Sequence, residues 1–365
     1  MMTKNHTALL LMLGSLSLPA ATVQAAGANP KTTPAVIAAA EKEGQLTVYA
    51  TTDQVVAAPL LKDFAVLYPK IKVEYNDMNS TEIYNRFISE AAAGSGSGDL
   101  LWSSSMDLQV KLAKEGYAAE YKSPELDQLP AWANWKGLAY GTTYEPIIFV
   151  YNKRLLKEEE APKSHAEMTK LLQTQKDRFK GKVTAYDPER SGVGFLLITQ
   201  DAKADPAFDA AAKAYGAVGV KLYTSIGAML ERISSGEHIL GFNIFSSYAA
   251  AKQKKDASLG ISFPKDYLLV MSRVAVPPKV AKHPNAGKVF LDYLLSARGQ
   301  EIVAHQAGLG SVRNDVTGEG TAVATNKAFG AAVKPIRVSD SILEYLDQAK
   351  RLEFLNRWQK ALGTK

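Results

Sequence analysis

Apolar positions in this chain recur with two spacings that take turns along it. Thr33-Pro34 suits the N-cap and first position of a helix, and Gly44 suits its end. A short apolar strand follows at 46–49. Over 59–68, Leu60, Leu61, Phe64 and Leu67 fall on one helical face, and then Ile71, Val73 and Tyr75 alternate as a second strand. Asn79, with Glu82 three residues later, opens a helix bearing Ile83, Phe87 and Ile88. The Gly/Ser loop at 94–98 leads into a strand at 99–102 and a helix over 107–116. Strands alternating with helices of about 10–15 residues imply right-handed crossovers and mostly parallel sheets, so the expected fold class is α/β.

A second unit begins near Tyr144. The segment 144–151 is extended and apolar, and a charged helical stretch covers 153–180. A strand is expected at 182–186, helices at 194–200 and 206–215, and strands at 239–243 and 268–275. From Pro284 the pattern is helical, with Val289, Phe290, Tyr293 and Leu294 on one face and a long last helix over 339–362.

Composition narrows the class. With 46% hydrophobic residues among 365, the chain can fill two or three cores. Its 43 basic and 37 acidic residues leave a small, diffuse positive excess, which points away from nucleic acid. There is no cysteine, so disulfides, zinc–thiolate sites, thiol catalysis and an N-terminal lipid-modified cysteine are all excluded. Residues 1–25 carry Lys4, an apolar run at 8–18, Pro19 and Val23-Gln24-Ala25. This is the pattern of a cleaved secretory signal, too short for the ~20 residues of a membrane span. Export is expected, to the periplasm in a bacterium with two membranes.

Polar groups collect where strands end. Strand one ends in Thr51-Thr52-Asp53, strand two leads to Asn79-Ser80-Thr81, and strand three ends in Ser103-Ser104-Ser105. In a parallel sheet these tips share the edge where ligands of open α/β sheets bind. Hydroxyls and helix-start amides there suit an oxyanion, and the same residue types also serve simply as N-caps. Thr142, Thr143 and Tyr144 form another such loop. So do Arg190, Ser191, Gly192 and Val193 ahead of the apolar run 195–198, with Arg190 either a counter-charge or a solvated surface residue. Tyr49, Tyr75, Trp102 and Tyr144 flank the tips, as stacking platforms or as core.

Catalytic signals are weak. His6, His165, His238, His283 and His305 are scattered without metal-ligand spacing. The 94–98 loop contains the letters of a nucleophile elbow without the apolar strand that should precede it, and there is neither a dinucleotide fingerprint nor a P-loop. No catalytic residue, metal or cofactor is expected.

Taken in order, several segments resemble the type 2 periplasmic solute-binding proteins of bacterial ABC transporters, in the cluster of ferric-ion, thiamine, phosphonate and sugar-phosphate binders. They are Gly-Gln-Leu-Thr-Val-Tyr-Ala at 44–50, Gly98-Asp99-Leu100-Leu101-Trp102, Tyr144-Glu145-Pro146 with Val150-Tyr151-Asn152, and Ser234-Ser235-Gly236-Glu237. Further carriers are His283-Pro284-Asn285-Ala286, Phe290-Leu291-Asp292-Tyr293-Leu294, Gly299-Gln300 and Ser311-Val312-Arg313. The resemblance implies two α/β lobes closing like a hinge over a ligand, with lobe one at 26–143 and 275–365 and lobe two at 144–274. The crossings would lie near 144–146 and 271–274, and Asn243 would join the Ser191 loop in lobe two. It also implies capture of a small anionic solute and its delivery to an ABC permease or a membrane sensor; nothing in the sequence indicates an oligomer, so a monomer is expected. The Ser191-Gly192-Val193 loop matches a phosphate-holding segment, favouring an organophosphate such as a sugar phosphate, phosphoglycerate or phosphonate. The alternatives are a ferric-ion binder of the same family and a secreted phosphoester hydrolase. Against iron stand Ile244-Phe245 at the place of paired tyrosines, Ser104 at that of an acidic ligand and Asp53 at that of a histidine.

Overall fold

A computed structural model describes residues 27–96 and 98–363, so the expected signal segment 1–25 lies outside the described residues. The first helix, α1 (Pro34–Glu43), begins where the Thr33 hydroxyl accepts from the Val36 amide and ends at Gly44, whose φ of 70° is left-handed. Then come β1 (Gln45–Ala50), α2 (Gln54–Leu67), β2 (Lys72–Asp77), α3 (Ser80–Ala92), β3 (Leu100–Ser103) and α4 (Met106–Lys114). Helix α2 starts ahead of the expected 59–68, with Pro59 inside it. Proline there forgoes one backbone hydrogen bond early in the helix, and the apolar face of Leu60 and Phe64 keeps the helix on the sheet.

The short strands β4 (Asn134–Trp135) and β5 (Ala139–Gly141) precede β6 (Glu145–Asn152). The charged stretch 153–180 is helical only in α5 (His165–Thr174) and α6 (Lys176–Phe179). After it the chain continues through β7 (Val183–Tyr186), α7 (Gly192–Ala204), α8 (Phe208–Ala217), β8 (Lys221–Tyr223) and α9 (Ile226–Ser235). Next are β9 (Leu240–Phe245), α10 (Ser246–Gln253), β10 (Leu259–Ser262), β11 (Leu268–Met271) and β12 (Val274–Val276). The last elements are α11 (Pro284–Leu295), α12 (Ala297–His305), α13 (Ala322–Phe329), β13 (Val333–Pro335) and α14 (Gln348–Leu362). The expected last helix, 339–362, is divided: a 3-10 stretch, Asp340–Leu346, comes before α14.

The strands build two sheets. One has the order β2-β1-β3-β12-β5-β4, the other β13-β11-β6-β9-β7-β8 with β10 on β6. Pairing is parallel in β2-β1-β3 and in β9-β7-β8, where helices make the crossovers, and antiparallel around β6 and β12. These two strands enter directly from the other sheet without a crossover helix. The chain passes between sheets at 142–144 and again at Ser272-Arg273, which splits the expected strand 268–275 into β11 and β12.

It passes a third time. Val333–Pro335 pairs with β11, and α14 buries Phe354 and Trp358 against Phe208, with ring centroids 6.1 and 6.2 Å apart. The tail from residue 333 therefore belongs to the second sheet and its core, which corrects the expectation that all of 275–365 lies in lobe one. An amphipathic helix shows that it has an apolar face, but not which core that face joins. The first lobe keeps its own core of Phe64, Trp102, Phe290 and Tyr293.

Candidate ligand-binding cleft

Between the two sheets lies a cleft of about 440 Å³, a size that suits a small ligand. Five helices begin at its walls: α2 after Asp53, α3 after Asn79, α7 after Ser191, α9 after Ser225 and α10 after Phe245. The amides of a first helical turn lack intrahelical partners, and the aligned peptide dipoles put partial positive charge at each start. The lobe-one wall carries Thr51, Asp53, Asp77, Met78, Asn79, Ser80 and Ser104. The lobe-two wall carries Tyr186, Arg190, Ser191, Val193, Thr224, Ser225, Ile226, Phe245 and Tyr248, and Arg273 lines the cleft where the chain passes between the lobes.

The lining hydroxyls divide into two sorts. Thr51 Oγ1 accepts from the Ser104 amide at 2.9 Å, which ties two tips together, while Ser191 Oγ caps α7 and Ser225 Oγ caps α9. Asn79 is occupied as the cap of α3, its Oδ1 2.9 Å from the Glu82 amide. By contrast, the side-chain hydroxyls of Ser80, Ser104 and Tyr186 have no partner among the described residues, although these residues are only 6%, 4% and 6% exposed. Buried hydroxyls are normally hydrogen-bonded, so three open ones facing a cleft mark places for ligand or water atoms.

Several expected site residues do not line the cleft. Thr52 is buried, and its carbonyl holds the Tyr75 hydroxyl at 2.6 Å. Ser103 Oγ accepts from the Ser105 amide, and Ser105 Oγ donates to Asp107. Thr142 bridges Trp102 Nε1 and the Arg273 carbonyl, Thr143 Oγ1 donates to Glu145, and the Tyr144 hydroxyl donates to Asn326. Asn243, at φ 56°, donates to Asp201 inside lobe two. Tyr49 and Trp102 are packed in the cores of their lobe. Gly192 sits where the lobes touch: a Cβ there would stand 2.8 Å from Ser105 Oγ and 3.0 Å from Ser80 Oγ of the opposite lobe.

Sequence reasoning passed over Arg273, Asp77, Tyr186, Tyr248, Thr224 and Ser225. Arg273 is 1% exposed. Its Nε donates to Glu145 Oε1 at 2.9 Å, its Nη2 to Oε2 at 3.4 Å and its Nη1 to the Thr51 carbonyl at 3.1 Å. Glu145, fully buried, also accepts from Thr143 and Ser247. Burial opposes the charge on Arg273, yet the Glu145 carboxylate holds the guanidinium above its ordinary range. Burial raises Asp77 above the usual carboxylate value, and it pushes the Tyr248 hydroxyl up to about 12. A readable signal did exist for two of these residues: Arg273 is the one charge in the apolar run 268–276, and Ser225 precedes the amphipathic pattern of α9.

The family model of the bacterial extracellular solute-binding proteins matches residues 59–331. The structure is similar to the substrate-binding protein of an ABC transporter from Agrobacterium tumefaciens, at 40% identity and a TM-score of 0.83, covering 87% of this chain and 94% of that one. It shares its fold with AfuA from Actinobacillus pleuropneumoniae, solved with fructose-6-phosphate bound, at 19% identity and a TM-score of 0.69 over 88% and 99% of the two chains. Iron-bound HitA from Pseudomonas aeruginosa also has this fold, at 18% identity and a TM-score of 0.67 over 87% and 99%. A two-sheet α/β frame, a polar cleft at the passages between the sheets and a family match over most of the chain converge: the protein belongs to the bacterial extracellular solute-binding proteins, the substrate-binding components of ABC importers.

Proposed function

We propose that this protein captures a small solute bearing an oxyanion, an organophosphate such as a sugar phosphate, phosphoglycerate or phosphonate, and hands it to a membrane permease. The observation that carries this reading is the set of open hydroxyls on Ser80, Ser104 and Tyr186 in a cleft where five helices begin. Arg190 and the starts of α7 and α9 supply positive potential on the lobe-two side. That the fold of AfuA holds fructose-6-phosphate agrees with a cleft of this kind. The chain is read as a monomeric carrier rather than an enzyme, exported to the periplasm after cleavage near Ala25.

One observation favours iron as a second reading: Tyr186 and Tyr248 line the same cleft as Asp53 and Asp77, four hard oxygen donors, and HitA shares the fold with iron bound. Burial opposes ionisation of both tyrosines; the Arg273 guanidinium, 5.7 Å from the centre of the Tyr248 ring, favours the tyrosinate but repels a metal cation. A single melting-temperature panel separates the readings, using phosphorylated sugars, glycerol phosphates, phosphonates, inorganic phosphate, plain sugars and ferric citrate. At a hundredfold excess over Kd a true ligand adds about 2.7 kcal/mol and raises the transition by several degrees. A phosphorus compound is expected to do so, and ferric ion is expected to give neither a shift nor a visible tyrosinate band. A shift with plain sugars alone, or a coloured stoichiometric iron complex, refutes the oxyanion reading.

A further inference from the structure

The charges lining the cleft do not make a receptor for a bare anion. Arg273 is matched by Glu145, which meets it with both carboxylate oxygens. Once that pair is set aside, lobe two contributes the guanidinium of Arg190, which has no ion pair among the described residues. Lobe one contributes Asp53 and Asp77, neither of them in an ion pair among the described residues. The remaining charge is therefore negative, and it is divided by lobe.

The two carboxylates stand close together. Asp77 is the strand partner of Ala50, three residues before Asp53. One oxygen of Asp77 accepts from the Gln54 amide at 3.2 Å, while Asp53 makes no capping bond to α2. Like charges on neighbouring strand ends repel; the Gln54 amide and the Arg273 guanidinium favour the charge on Asp77, but among the described residues no cation pairs directly with either carboxylate. Beside them Ser80 and Ser104, residues more than nine-tenths buried whose hydroxyls have no partner among the described residues, line the same space. A ligand therefore completes the lobe-one wall as well as the lobe-two wall.

We propose that the solute is zwitterionic, with its oxyanion before Arg190 and the starts of α7 and α9 and a primary ammonium group between Asp53 and Asp77. This rests on the reading of the cleft as an oxyanion site and adds the second pole. The ammonium supplies charged donors to two carboxylates without an ion pair among the described residues, and so narrows the oxyanion class: a hydroxyl in its place also donates but brings no charge, and a carboxylate adds to the repulsion.

Matched esters test it by calorimetric titration of the mature chain: 2-aminoethyl against 2-hydroxyethyl phosphate, and 3-aminopropyl against 3-hydroxypropyl phosphate. The amino member of at least one pair is expected to bind about tenfold more tightly or better. In the double variant Asp53→Asn/Asp77→Asn the ratio within that pair is expected to fall to about one. Equal affinities in the parent overturn the proposal, as does a preference that survives in the variant. Equal weakening of both members, with the ratio kept, assigns the acids to holding the lobes and also overturns it. If none of the four esters binds while other phosphorus compounds do, the zwitterion is wrong and the oxyanion reading stands; if no oxyanion compound binds at all, both fall.

Discussion

Arg273 and Glu145 form a buried ion pair at the place where the chain passes between sheets, and the pair shows how much a single side chain can hold. Each partner alone would be a charge without solvent. Removing one member of such a pair costs more than the pair itself contributes, because the survivor keeps its desolvation. Glu145→Gln is therefore expected to destabilise the protein by about 3 kcal/mol, read as a lower urea midpoint with an unchanged slope. A loss below about 1 kcal/mol would mean that cleft water solvates the guanidinium. At this scale the sequence was legible in part. Thr51, Ser80, Ser104 and Ser191 were found from the places where apolar runs stop, and each lines the cleft. Their neighbours Thr52, Ser103 and Ser105 looked identical and turn elsewhere, because successive side chains of extended backbone point to opposite sides. Knowing that a strand ends does not say which residue of the tip faces the cleft.

Helix ends were the most legible elements. Thr33, Gly44 and Asn79 act as the caps that their types suggest. What stayed hidden was decided by long-range packing: the split at Ser272-Arg273 inside a continuous apolar run, and the late start of α14. Helix α4 carries the clearest consequence of such packing. It lies against the 3-10 stretch Asp340–Leu346, and its Asp107 is 2% exposed, accepting from Ser105 Oγ and the Leu108 amide. Burial raises this carboxyl to about 6, against the hydrogen bonds and Arg351, which favour its charge. Its folded value thus lies above its unfolded one. Between about pH 4 and 6 the folded state holds a proton that the unfolded chain has released, so stability falls as pH rises through that window. Asp107→Asn, which keeps an acceptor, is expected to leave stability at pH 4 nearly unchanged and to raise it at pH 7 by on the order of 2 kcal/mol. Urea melts at the two values check this, and an equal effect at both would show that the charge is not what costs.

At the scale of the whole molecule, the α/β class and the two-unit plan could be read from periodicity, because each sheet repeats the strand–helix alternation. The return of the tail could not, since β13 is only three residues long and pairs with a strand some sixty positions earlier. That return has a consequence for how the protein is made. The first sheet is incomplete until β12 and the core residues of α11 are available, and the second core is incomplete until Phe354 and Trp358 arrive. A ribosome delivers the chain from its N-terminus, so no early portion contains a finished folding unit. This order of completion is compatible with the proposed export, since neither core is finished in the early part of the chain. Chains stopped at Ala332 are accordingly expected to be digested rapidly by a protease that leaves the full-length protein intact, with lobe two cut first. Equal resistance of the shortened chain would show that the tail only decorates a core already closed.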